Sequence, residues 1–137
     1  MNATADESYP LHADSQRQAD VPQGKVISYR FTNSKVYPGT ERDYFVYVPA
    51  QYKKDTPAAL MVFQDGRNYV NEKGTWRAPT VFDNLIHRKE MPVTIGVFIN
   101  PGVVPGGQKA QDRFNRSLEH DTVSDQYATV VVDDILR

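Results

Sequence analysis

Ala58-Ala59-Leu60-Met61-Val62-Phe63-Gln64-Asp65-Gly66-Arg67 is the stretch on which the fold turns. Ala58 to Phe63 is a continuous apolar run. A run of this length suits a strand buried on both faces, as in a parallel sheet. Gln64-Asp65-Gly66-Arg67 follows at once and reads as a turn. A polar loop then leads to Pro79 and an amphipathic helix, with Thr80-x-x-Asp83 as its expected cap. Val81, Phe82, Leu85 and Ile86 form one face of that helix. Met91-Pro92 stops it, and a second buried strand spans Val93 to Ile99. Strand, turn, helix and strand in this order predict an α/β domain.

Upstream, Val26 to Phe31 and Arg42 to Val48 are rich in β-branched and aromatic residues, with the Pro38-Gly39 turn between them. They read as an antiparallel pair, closed by Pro49. Downstream, Asn100 to Thr122 reads as a loop broken by Gly102, Pro105, Gly106 and Gly107. Ser124 to Arg137 fits either a helix, through Tyr127, Ala128, Val131 and Ile135, or a strand through Thr129 to Val132. The alternation of elements favours the helix.

The chain has 137 residues, enough for about one domain of ~100–150 residues. Its 16 basic and 17 acidic residues leave a net charge of -1, which supplies no electrostatic footprint for nucleic acid. No apolar run approaches the roughly 18 residues of a membrane span. No nucleic-acid or membrane partner is therefore expected. Cysteine is absent, which excludes disulfides, thiolate metal sites and a cysteine nucleophile. His12, His87 and His120 are too scattered for a His-x-x-x-His metal pair, so neither metal nor cofactor is expected. Met1 to Gly24 sets Asp6, Glu7, Asp14 and Asp20 against Arg17 alone, and has no Ile, Phe or Trp. Such a segment buries too little apolar area to offset its ordering entropy, so residues 1–24 are expected to be a flexible polar tail. It has neither the basic start nor the apolar block of a signal peptide.

Chemistry points back to Asp65-Gly66-Arg67. After a strand, a glycine-containing turn presents backbone amides without a side chain in the way. In α/β-type serine hydrolases an amide in this loop supplies half of the oxyanion hole. Negative charge develops on the carbonyl oxygen during acyl transfer, and losing one donor costs about 3–4 kcal/mol of barrier. The Arg67 amide is the candidate donor, with Gly66 allowing close approach. Spacing alone leaves a plain turn as the other reading. None of Ser8, Ser15, Ser28, Ser34, Ser117 and Ser124 lies in a G-x-S-x-G context, and no histidine has a base position. Trp76 and Tyr69, in the first long loop, read either as a platform for a sugar or aryl ring or as a lid on the core edge. Asp133 and Asp134, adjacent on the last helix, read as solvated.

Several of these motifs occur together, in order, in one family. Tyr37-Pro38-Gly39-Thr40, Arg42 to Pro49, Met61 to Gly66, Val81 to Ile86, Met91 to Ile99 and Arg113 to Asp121 resemble the N-terminal half of the esterase-D-like α/β-hydrolases. They are most similar to enterochelin esterase-like carboxylic-ester hydrolases. The resemblance covers residues 25–137, most of the chain outside the tail. It implies a partial α/β-hydrolase sheet: an antiparallel first pair, then parallel strands with crossover helices, ending before the nucleophile strand. It implies serine-nucleophile acyl transfer on a small-molecule ester, with the oxyanion turn at Gly66 and Arg67 present. The catalytic Ser, acid and His would be missing, so the chain is expected to be inactive alone. Asp65, Trp76, Arg116 and Glu119 are the implied substrate-binding residues, with Arg116 and Glu119 as an ion-paired brace. In that fold the third strand lies beside the nucleophile strand, so Ala58 to Phe63 is expected to leave an apolar edge open to self-association. Two other readings stay open: a non-catalytic binding or interaction module on the half-sheet, and a small all-β carbohydrate module.

Overall fold

The computed structural model describes residues 10–106, 113–121 and 124–136. Its centre is a four-stranded sheet in the order β1-β2-β4-β3, with β1 at Lys25–Phe31, β2 at Arg42–Val48, β3 at Ala59–Gln64 and β4 at Thr94–Ile99. β1 with β2 and β2 with β4 are antiparallel, and β4 with β3 is parallel. The parallel pair is joined by α1 at Gly66–Val70 and α2 at Ala78–His87. The mixed α/β expectation therefore stands, and an all-β module does not. The expected loop before Pro79 begins instead with α1. Within 100–122, Val103–Val104 (β5) and Arg113–Phe114 (β6) pair antiparallel, and Arg116–His120 forms α3. The C-terminal segment is helical: α4, Gln126–Thr129, runs into a π-helical turn at Val130–Ile135.

The register explains the core. Phe45, Phe98 and Phe63 are cross-strand partners on β2, β4 and β3, so they share one sheet face. Phe63 stacks on Phe98 at 4.7 Å, and Tyr47 meets Phe82 of α2 edge-on at 5.6 Å. Ala78, Phe82 and Ile86 complete the buried cluster. β4 reads Thr-Ile-Gly-Val-Phe-Ile and is buried almost throughout, as its central place requires. β3 is equally apolar, yet it forms the sheet's edge: Leu60 is 54% exposed, Met61 42% and Val62 38%. The expectation that it is buried on both faces is therefore corrected. An apolar run records what a strand can bury, while its neighbours decide what it does bury.

α2 does not start at the expected cap. It begins at Ala78, after Arg77 at φ 47°, with Pro79 in its first turn, where a missing N–H costs nothing. Thr80 and Asp83 are buried within it. Asp83 instead accepts from Tyr47 Oη at 2.7 Å, Gly24 N at 2.9 Å and Arg17 Nη1 at 2.6 Å. Burial and this carboxylate push the Tyr47 hydroxyl well above its usual range. Asn84 Nδ2 donates to the carbonyls of Asp14 and Gln16, at 2.7 and 3.0 Å. Arg88 pairs with Asp14 at 2.6 Å. Residues 14–24, expected in a free tail, are thus tied along α2; Met1 to Tyr9 lie outside the described residues. Polar pairing, which an apolar-area argument does not count, holds this segment down.

Removing the Asp83 carboxylate strands the Tyr47 hydroxyl and the Gly24 amide. Asp83→Ala should cost about 1–3 kcal/mol in urea unfolding for each buried group left unsatisfied, and trypsin should then cut faster at Arg17. An unchanged cleavage rate would show that Asp83 does not hold the strap.

Candidate functional site

β3 ends at Gln64, and Asp65 turns the chain at φ 52°, ψ 43°. An aspartate tolerates this left-handed geometry better than most residues. Gly66 follows and is buried against β4. A Cβ there would lie 2.3 Å from Phe98 C and 2.5 Å from Ile99 N, so only glycine fits. The Arg67 amide is outside any ladder and donates to Asn100 Oδ1 at 2.9 Å. Asn100 follows the last residue of β4, and its own amide donates to the Asp43 carbonyl at 3.1 Å. The ends of β3 and β4 and the start of β2 thereby meet at a cleft of about 510 Å³.

The cleft is lined with paired charges. Arg116 Nε and Nη2 grip the two Asp65 oxygens at 2.9 and 2.8 Å. This bidentate bond holds the Asp65 carboxyl below its ordinary value, against a smaller opposing effect of burial. Arg67 Nη2 reaches Asp43 at 3.0 Å, and Arg30 pairs with Glu41. Phe114, 76% exposed, adds an apolar wall. Behind the cleft, Arg42 and Glu119 form a second bidentate pair, at 2.8 Å for both contacts, with neither side chain exposed. The Gly102 amide also donates to Glu119, at 3.1 and 3.2 Å.

Of the residues expected at the site, Asp65, Arg67 and Arg116 line the cleft, with Gly66 beneath them. Glu119 does not reach it, because its carboxylate is sequestered by Arg42 and Gly102. The expected Arg116–Glu119 brace is also corrected: each pairs elsewhere, Arg116 with Asp65 and Glu119 with Arg42. Trp76 is 57% exposed and stacks on Tyr69 at 5.4 Å, away from the cleft lining. His120 packs edge-on against Tyr127 at 4.8 Å. Burial pushes the Tyr127 hydroxyl up to about 12. Asp134, expected to be solvated, accepts from Ser34 Oγ at 2.8 Å.

Sequence reasoning missed Arg42, Asp43 and Asn100. A basic residue opening a strand, and an Asn-Pro-Gly break closing one, were their only signals. Among the described residues no serine hydroxyl is hydrogen-bonded to a histidine, and no group of three or more His, Cys, Asp or Glu is placed to hold a metal ion.

No family profile and no curated protein sequence matches the chain. Solved structures do. The CE1 ferulic acid esterase AmCE1/Fae1A from Anaeromyces mucronatus, in complex with ferulic acid, is similar at TM-score 0.60 and 17% identity, over 90% of this chain and 44% of that one. The same enzyme without substrate gives TM-score 0.59 and 16% identity, over 90% and 45%. A structure described as FAE gives TM-score 0.54 and 10% identity, over 92% and 40%. At these identities the likeness shows a shared mixed α/β fold. The chain spans less than half the length of these structures.

Two predictions follow from the paired charges. Asp65 has an unfolded value near 3.8 and a lower folded one. Its contribution to stability is complete above pH 3.8 and is lost as pH falls through the folded value. Asp65→Asn should flatten that part of an acid-unfolding curve. Glu119→Ala leaves Arg42 buried and unpaired, and should cost about 3–5 kcal/mol in urea unfolding, while Arg42→Met with Glu119→Leu should cost clearly less.

Proposed function

We propose that this chain carries the oxyanion side of a carboxylic-ester hydrolase, of the serine-nucleophile, enterochelin esterase-like kind. The observation that carries the reading is the Arg67 amide. It lies in no ladder and already donates to a carbonyl oxygen, that of the Asn100 carboxamide, at 2.9 Å. A substrate carbonyl in that position would meet a donor oriented before reaction, which is what a developing oxyanion needs. Gly66 lets the turn pack against β4, and Asp65, held by Arg116, sets the turn's direction. The shared fold with ferulic acid esterases supports the same reading.

In this proposal a serine outside this chain attacks the ester carbonyl, with its proton passing to a histidine. The oxygen gains negative charge against the Arg67 N–H as the carbonyl becomes tetrahedral. The alkoxide leaves with the proton returned by the histidine, and water repeats the sequence on the acyl-enzyme. The guanidinium groups of Arg67 and Arg116 and the ring of Phe114 border the space left for the substrate. The chain alone is inactive.

One observation favours a second reading, a non-catalytic binding module on the half-sheet. The Arg67 amide and the Arg67 and Arg116 guanidinium groups all have protein partners, and no described serine is paired with a histidine.

Methyl phenylphosphonate, an anionic tetrahedral probe, separates the two. Under the hydrolase reading it shifts the Arg67 amide resonance, more strongly in Asn100→Ala than in the parent. A probe that leaves that resonance untouched in both would overturn the hydrolase reading. A fluorophosphonate should label no serine of the chain; a labelled serine would refute the external nucleophile.

A further inference from the structure

Asn100 follows the last residue of β4 and lines the wall of the cleft. Its backbone is held by β2 through both of its polar groups. The amide donates to the Asp43 carbonyl at 3.1 Å, and the carbonyl accepts from Arg42 Nη1 at 3.4 Å. Its side chain is held by a single bond, from the Arg67 amide to Oδ1 at 2.9 Å. Among the described residues Nδ2 has no hydrogen-bond partner. The carboxamide is thus a rotor on a fixed mount, with its acceptor engaged and its donors free.

That arrangement has a chemical consequence once an oxygen takes the place of Oδ1 at the Arg67 amide. In acyl transfer the arriving oxygen becomes negative, and an acceptor left beside it would repel it. Turning the carboxamide about Cα–Cβ and Cβ–Cγ withdraws Oδ1 and offers Nδ2 instead. One neutral hydrogen bond is given up. Two charge-assisted ones replace it, from the Arg67 N–H and from Nδ2–H, each roughly twice as strong as a neutral bond. No proton changes hands. A carboxamide can do both tasks because it carries an acceptor and two donors on one planar group. An aspartate could orient the Arg67 amide but not face the anion.

We propose that Asn100 is a side-chain donor to the oxyanion: Oδ1 orients the Arg67 amide at rest, and Nδ2 donates to the charged oxygen in the tetrahedral state. Preorganised donors of this kind, side-chain amides among them, are what such a species requires. The inference rests on the hydrolase reading and adds a residue to it. The contact with the Arg67 amide singles out Asn100 from Asn68, the other carboxamide lining the cleft. The guanidinium groups of Arg67 and Arg116 are committed to Asp43 and Asp65.

The test is a titration of the 15N-labelled 137-residue chain with methyl phenylphosphonate. The Arg67 amide and the Asn100 Nδ2 protons should both move downfield, and the Nδ2 protons should exchange more slowly with water. Asn100→Ala should bind the probe about fivefold or more weakly, because the charged bond lost outweighs the neutral one regained. At saturation its freed Arg67 amide still shifts further than the parent's. Asn100→Asp should weaken binding more than Asn100→Ala does, by setting an acceptor-only group against the anion. Asn68→Ala should bind as the parent does, and circular dichroism should be unchanged throughout. The Nδ2 readout needs no substitution, so it decides the matter even where a variant unfolds. A probe that moves the Arg67 amide and leaves Nδ2 still would overturn this inference alone. A probe that moves neither would overturn it together with the hydrolase reading. Tighter binding by Asn100→Ala would make the carboxamide an occupant of the position and no donor, and an equal loss in Asn68→Ala would remove what singles out Asn100; either overturns the proposal.

Discussion

The buried ion pair between Arg42 and Glu119 is the constraint on which the cleft depends. Both side chains are withdrawn from water, so each would cost several kcal/mol if left alone. Their bond forces α3 against the start of β2. Arg116 and Glu119 stand three residues apart and so share a face of the helix. Once Glu119 is pinned, Arg116 arrives at Asp65. The inner pair thus delivers the outer one, and the outer one holds the turn that presents Arg67. Gly102 takes part because its amide caps the Glu119 carboxylate. A side chain there would lie 2.5 Å from Glu119 Oε1.

The turn itself is a compact solution to a crowded place. β3 must end, reverse direction and start a helix while lying flush against β4. Asp65 accepts a left-handed backbone, and Gly66 gives up its side chain to Phe98 and Ile99. With no side chain at Gly66 in the way, the Arg67 amide points at Asn100. A second hub, Asp83, does similar work at the other end of the sheet. It receives Tyr47, Gly24 and Arg17 and so joins β2, α2 and the N-terminal strap in one polar knot.

Much of this was legible in the residues. β1, β2 and β4 lie within a residue or so of the strands read from their β-branched and aromatic content. Phe82 and Ile86 fall in the core that the helical period assigns them. The Asp65-Gly66 turn is where a strand had to stop. What misled was local chemistry with more than one use. Thr80-x-x-Asp83 has the spacing of a cap, yet Asp83 accepts from partners 36, 59 and 66 residues away in sequence. Arg116 and Glu119 have the spacing of an intrahelical pair, yet each found a better partner elsewhere, Arg116 at the Asp65 turn and Glu119 on β2. The acidic, apolar-poor stretch before Gly24 reads as a tail, because its ties to α2 are polar and long-range.

Sequence alone determined the kinds of element and their order, because apolar period, turn residues and β-branching act within a few positions. It also determined that Gly66 and Arg67 would stand at a strand's end. Only the tertiary structure decided who neighbours whom. It placed β4 at the centre and β3 at the rim, although both runs are equally apolar. It paired Arg42 with Glu119 and Arg116 with Asp65. Burial and charge pairing are properties of positions brought together from distant parts of the chain, and no window of sequence holds both partners.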